Sequence, residues 1–306
     1  MLDNVIGQNE LKKSIKVAIG AAQYRKEVLG HILLSGAGGL GKTHLLRSIC
    51  SEVGYHLSIT QGSRLTPVKV AQFIKNSVET ADALGKVSFM CIDEIHEMSD
   101  DAQEELYYPL DHHQILTLGD PIQLSPFTLV GATTEPEGLD GKSLINRFKH
   151  FWKMEEMTCI SLMIVVNLFF IDNGIACSSD DIETIANRSK GIPRLALKYA
   201  SKVRDYAQYN RRNNVQSSDI DKAFVELGVD DFGLDKNQQK YLTILHRSDK
   251  PIGLDCLANM LGEMSVSQVK KMIEPFLYKA GFISSSSRGR QLTRDGCDHI
   301  ASGYLI

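Results

Sequence analysis

Eight consecutive residues constrain this chain more than any other feature of it. Gly36-Ala37-Gly38-Gly39-Leu40-Gly41-Lys42-Thr43 fits the spacing G-x-x-x-x-G-K-[ST] in full. A short apolar run, 31–35, leads directly into it, and a helical pattern follows directly. In a strand–loop–helix of this kind, glycines let successive backbone N–H groups converge on one point, and the following helix presents its positive end there. The partner that suits such a loop is a chain of phosphates. Lys42 is predicted to reach the β- and γ-phosphates and the Thr43 hydroxyl to bind Mg2+. Gly36, Gly38, Gly39, Leu40, Gly41, Lys42, Thr43 and His44 are the predicted nucleotide contacts.

A second signal lies about 50 residues on. The apolar run 87–92 ends in two adjacent carboxylates, Asp93 and Glu94. That places them at the carboxyl edge of a parallel sheet, where such folds bind ligands. Asp93 is predicted to hold the Mg2+ shell and Glu94 to polarise the attacking water as a general base. Alone, an Asp-Glu pair says little. Following a phosphate loop, it predicts ATP binding with hydrolysis.

Three segments differ in character. Residues 1–150 alternate short apolar runs (31–35, 87–92, 127–131) with helical patterns, which predicts a parallel sheet covered by helices. The segment 151–228 is helical throughout. The tail, 229–306, has helical stretches at 236–247, 253–261 and 266–280, then a hairpin over 282–292, a pattern that suggests a winged helix. The longest apolar run, 162–171, is too short to span a bilayer and is expected to be buried. The start of the chain shows no basic stretch followed by an apolar one, so no leader is expected and the location is read as cytoplasmic. Six scattered cysteines form no Cys-x-x-Cys pair, which argues against a disulfide framework or zinc site. Adjacent His112 and His113 point in different directions and lack companions at ligand spacing, so no metal is expected there. Net charge is −3, so any contact with DNA has to come from a local basic patch.

The chain resembles the RuvB family, the AAA+ motors of Holliday-junction branch migration. The resemblance rests on residues 2–8, Leu40-Gly41-Lys42-Thr43, Ile92-Asp93-Glu94-Ile95-His96, 126–134, Gly191-Ile192-Pro193-Arg194 and 203–207. In the tail it rests on Gly233-Leu234-Asp235, Glu274-Pro275-Phe276-Leu277 and Arg288-Gly289-Arg290. It implies an AAA+ P-loop domain with a parallel sheet, an all-α lid and a C-terminal winged helix. It also implies an ATP-dependent motor on duplex DNA or four-way junctions, working as a homo-oligomeric ring, a hexamer, without a membrane. By the same resemblance Thr134 is the sensor of the γ-phosphate. Arg147, in Leu144-Ile145-Asn146-Arg147-Phe148, is the arginine finger inserted into a neighbour's site, and Arg194 is the second sensor. Arg288, Gly289 and Arg290, at the tip of the wing, are the residues placed against DNA phosphates, with Lys270, Lys271, Lys279 and Arg294 adding to the field.

This sequence departs from the family pattern in four places. Only Val5 and Ile6 stand where an N-terminal arm lines the adenine. Met157 stands where a lid tyrosine is usual. The segment 111–125 is several residues short, and the turn 118–121 looks too tight for the projecting hairpin that docks a RuvA-like partner. Glu135 replaces an arginine, as does Ile145 or Asn146. The alternative activity is that of an AAA+ loader, assembling another ring on DNA.

Overall fold

The computed structural model describes residues 2–139, 143–248, 250–262 and 264–301. They divide into two compact units, Met1–Met157 and Thr158–Ile306. In the first unit the strands are β1 (Ile32–Ser35), β2 (His56–Gln61), β3 (Ser88–Asp93), β4 (Gln114–Ile115), β5 (Ile122–Gln123), β6 (Phe127–Thr133) and β7 (His150–Lys153). Between them run α1 (Asn9–Arg25), α2 (Lys42–Val53), α3 (Pro67–Ala83), α4 (Asp100–Glu104) and α5 (Tyr107–His112). Five strands form one parallel sheet in the order β2-β3-β6-β1-β7. Parallel strands need helical crossovers, which cover both faces, so the central strands read as nearly unbroken apolar runs. Both β3 and β6 are buried along almost their whole length.

The period of two along each strand sorts the side chains into two cores. Leu34, Phe89, Cys91 and Val130 face one side with Ile15, Ile19, Leu45 and Ile49 of α1 and α2. Leu33, Met90, Ile92 and Leu129 face the other, with Val70, Ile74 and Leu106. His31, just before β1, is sewn into the second face. Its Nδ1 accepts from the Leu129 N–H (3.0 Å) and its Nε2 lies 3.3 Å from the Leu110 carbonyl. Burial pushes this imidazole down to about 4, so both nitrogens work in the neutral ring.

The second unit carries α6 (Cys159–Asp172), α7 (Ser179–Arg188), α8 (Pro193–Tyr209) and α9 (Ser217–Leu227), then α10 (Lys236–His246), α11 (Leu254–Leu261), α12 (Val266–Gln268) and α13 (Glu274–Lys279). The hairpin β8 (Ile283–Ser286) and β9 (Gly289–Leu292) and α14 (Arg294–Ala301) complete it. Thr158, Ser178 and Asp235 cap their helices with side-chain oxygens, as helix starts demand. Two sequence expectations change here. Residues 162–171 do form a helix, but its apolar residues circle the axis: Leu162, Val166 and Phe170 go inside, whereas Ile164, Leu168 and Ile171 stay exposed. The single helix expected over 266–280 is broken by a π-helical turn, Val269–Ile273. Pro275 accounts for it, because its ring lacks the N–H and crowds the preceding turn.

Where the helical group meets the winged helix, the chain is pinned by polar contacts. Asp230 accepts from the Phe232 N–H (3.0 Å) and the Leu234 N–H (2.7 Å), and its other oxygen lies 3.1 Å from His299 Nε2. Arg188 pairs with Asp231, and Lys190 lies over the Phe276 ring at 4.6 Å.

Candidate active site

The sheet's register decides what can meet. Ser35 of β1 pairs with Thr133 of β6, and Ile92 of β3 pairs with Gly131 of the same β6. The loop after β1, the two carboxylates at the end of β3 and the two threonines at the end of β6 therefore share one edge of the sheet. Within the loop, Gly36, Gly39 and Gly41 have φ of 155°, 85° and 96°, values that a side chain would oppose. A Cβ on Gly36 would also press within 3.0 Å of Met154 Cβ. Gly41 begins α2 without a capping side chain, so the first N–H groups of α2 face the loop's mouth uncapped. The Lys42 ammonium donates to the Gly36 carbonyl at 2.8 Å, folded back over its own loop. Leu40 is buried, while Thr43 and His44 are exposed.

Glu94 sits at the other side of this edge in an unusual backbone state, with φ 48° and ψ 53°. For a residue with a Cβ, left-handed backbone costs on the order of 1–2 kcal/mol, so its surroundings must enforce it. Two of them are on view. A Cβ on buried Gly62, in the turn after β2, would collide with the Glu94 carbonyl oxygen. From below, Gly131 leaves room for Ile95 and Phe148, which would lie 2.9 Å and 3.0 Å from a Cβ there. So presented, one oxygen of Glu94 accepts two hydrogen bonds from Thr134, from the backbone N–H (3.0 Å) and from the hydroxyl (2.9 Å). His96 adjoins them. Its Nδ1 lies 2.9 Å from Thr133 Oγ1 and 3.4 Å from Glu94 Oε2, and its Nε2 lies 3.8 Å from Glu135 Oε1. The Glu135 N–H also donates to Thr133 Oγ1 (2.9 Å). A general base, a sensor threonine and a phosphate-shaped loop on one edge make an arrangement suited to attack by water on a terminal phosphate.

Arg147 is held on the surface of the first unit. Its Nε and Nη2 contact Asp111 at 3.0 Å and 2.8 Å, its Nη1 donates to the Ser143 carbonyl (2.8 Å), and the guanidinium lies 4.1 Å from the Tyr107 ring centre.

Three domain descriptions match the chain: "Holliday junction DNA helicase RuvB P-loop domain" over residues 1–154, "RuvB AAA lid domain" over 173–230 and "RuvB C-terminal winged helix domain" over 231–301. The chain belongs to the RuvB family. It is similar to the "Holliday junction branch migration complex subunit RuvB" of Fervidobacterium nodosum, 34% identical over 99% of this chain and 88% of that protein. The subunit of the same name from Orientia tsutsugamushi is 33% identical over 98% and 93%. Among solved structures, the Thermotoga maritima RuvB Holliday-junction branch-migration motor is 31% identical, covers 98% of this chain and 96% of its own, and superposes with a TM-score of 0.84.

Within this family member, the remaining predicted residues fall into different settings. Arg194 opens α8, exposed, with no hydrogen bond or ion pair among the described residues. Val5, expected beside adenine, is 3% exposed, its side chain inside the core that also holds Leu2 and Leu40; Ile6 is half-buried. The segment 111–125 closes a short antiparallel hairpin of two residue pairs, Gln114 opposite Gln123 and Ile115 opposite Ile122, with Leu118 fully exposed at its tip.

The wing requires a correction. Of the three residues placed against DNA, only Arg288 is exposed. Gly289 is buried and a Cβ there would collide with the Ile252 carbonyl, because residue 290 forms a β-bridge to Ile252. Arg290 turns inward: its Nε donates to Glu274 Oε1 at 2.8 Å, and Tyr241 donates to the same oxygen at 2.7 Å. Burial, with the Glu274 bond, pushes the Tyr241 phenol up, so it remains a donor. The guanidinium of Arg290 is thus committed to a carboxylate that is itself buried.

Proposed function

We propose that this chain is an ATP-driven motor that moves Holliday-junction DNA, in keeping with the names its relatives carry. The observation that carries the reading is the Glu94–Thr134 pair, held on the same sheet edge as the phosphate loop. Glu94 takes a proton from the attacking water, and Thr134 fixes where that water and the terminal phosphate stand. Lys42, released from the Gly36 carbonyl, neutralises the β- and γ-oxygens. The hard oxygen donors Thr43 and Asp93 suit Mg2+. When bound, this ion draws charge from the phosphates and orients them. Gly36, Gly38, Gly39, Leu40, Gly41, Thr43 and His44 line the nucleotide's phosphate side, with the half-buried Ile6 toward the base.

Arg147 completes the site of a neighbouring copy in a ring, read here as a hexamer, and Arg194 relays the state of the nucleotide. Asp111 and Tyr107 hold the guanidinium in one place in advance, which limits the ordering cost when it is used. The exposed apolar row Ile160, Ile164, Leu168 and Ile171 is a surface that assembly can cover. Among the described residues no helix is long and apolar enough to cross a membrane. The loader reading leaned on a shortened hairpin and a rewritten interface; a β4–β5 hairpin forms, two residue pairs long, and the family's names favour the motor. The same hairpin is the surface for a RuvA-like partner.

The test is steady-state ATPase of wild type, Glu94→Gln and Arg147→Ala, with and without four-way junctions and linear duplex. Each variant is expected to lose about 10²-fold or more in kcat, and an equimolar mixture to regain part of the wild-type rate. A rate indifferent to DNA at low salt, with no rescue on mixing, would overturn both the DNA role and the finger supplied between copies.

A further inference from the structure

Thr134 faces a conflict of use. Its hydroxyl and its N–H both bond one oxygen of Glu94. If the Thr134 hydroxyl turns to the nucleotide, Glu94 Oε2 is left with the backbone N–H alone at the moment its carboxylate must be held and aimed. A half-buried carboxylate that loses one of its two donors is less firmly held and directed. A replacement stands 3.4 Å away: Nδ1 of His96, now engaged 2.9 Å from Thr133 Oγ1. Thr133 can release it, since its hydroxyl keeps the Glu135 N–H (2.9 Å). His96 is fixed for the task on the short turn Ile95–Glu97, only 14% exposed, and its Cβ would lie 3.3 Å from a Cβ on Gly138.

We infer that His96 is a positioning residue for hydrolysis: its Nδ1–H takes over Glu94 when the Thr134 hydroxyl leaves for the nucleotide, coupling the sensor to the base. The inference rests on the ATPase reading above. The handover uses the tautomer with its proton on Nδ1, so nothing is transferred; one hydrogen bond, to Thr133, is exchanged for another, to Glu94.

The two ring nitrogens separate this role from packing. Asparagine places an amide N–H where Nδ1 stands, and glutamine places one near Nε2, toward Glu135. His96→Asn, His96→Gln and His96→Ala are compared in the full-length protein for kcat and KM of ATP with four-way-junction DNA, and for equilibrium binding of a fluorescent ATP analogue. The expected result is that Gln and Ala lower kcat about tenfold or more, that Asn stays within about threefold of wild type, and that analogue binding is unchanged in all three. Equal losses for Asn and Gln, or better activity for Gln, would overturn the handover. Should Ala not fold, the Asn–Gln comparison decides the matter, since both keep an amide of similar size. A wild type that does not hydrolyse ATP would instead bring down the ATPase reading itself, and the two failures are told apart by that control.

Discussion

Gly62 shows how much one missing methyl can decide. It lies more than thirty positions before Glu94, yet its Cα presses so closely on the Glu94 carbonyl that any Cβ would collide with it. A backbone oxygen cannot swing aside as a side chain would, so Gly62→Ala must move Glu94, whose left-handed backbone sets the aim of its carboxylate. A displacement of that kind costs about 10- to 100-fold in rate when the reacting geometry is tight. Gly62→Ala is therefore expected to lower kcat by that factor and to leave nucleotide affinity nearly unchanged, because the phosphate loop is built on a different strand. ATPase kinetics with a parallel nucleotide titration check it, and an alanine variant with wild-type kcat would refute it. Lys42, Asp93 and Glu94 are legible in the sequence because their chemistry is written in contiguous motifs. Gly62 and His96 are not, because each gains its meaning from a partner that only strand pairing brings near. The faint signals were a glycine ending a strand and a histidine two residues after the base.

At the scale of elements, the wing teaches the same lesson with a different outcome. Alternation and a Ser-rich turn over 282–292 suffice to place the hairpin, and β8 and β9 form within that range. Which arginine faces solvent was beyond the reach of the local pattern, since the answer depends on Glu274, buried on α13 some sixteen residues earlier. Arg290 thus anchors the hairpin to the helical core through Glu274 and Tyr241. Its side chain is 20% exposed and that of Glu274 5%, so truncation leaves a carboxylate buried without its counter-charge. Loss of one partner of a buried pair typically costs about 3–5 kcal/mol. Arg290→Ala is expected to destabilise the second unit on that scale in urea melts. The double variant Arg290→Met with Glu274→Gln recovers much of the loss, because no charge remains buried. Arg290→Ala no more destabilising than Arg288→Ala would contradict the anchor.

Taken whole, the molecule is slightly acidic, with 34 Lys and Arg against 37 Asp and Glu and a net charge of −3. Its overall field therefore repels DNA weakly, and any grip has to be local. With Arg290 turned inward, the exposed tip of the wing is Ser285, Ser286, Ser287 and Arg288: one fixed cation among small hydroxyls. A tip of that kind can follow a phosphate backbone closely without reading bases, which suits a motor that must pass over every sequence. Neutralising a phosphate releases counterions, so each such contact adds about 0.9 to the slope of log K against log salt on duplex DNA. Arg288→Ala is accordingly expected to weaken binding to linear duplex and to four-way junctions alike, and to flatten that slope by about 1 for each wing engaged. Its thermal stability and its ATPase without DNA should match wild type, since Arg288 is exposed and takes no part in the buried Arg290–Glu274 anchor. Fluorescence anisotropy across a series of KCl concentrations measures the slope directly. An unchanged slope would move the DNA contact away from the wing tip, to the lysines of the helix before it, Lys270 and Lys271, which the same titration on Lys270→Ala and Lys271→Ala would then locate.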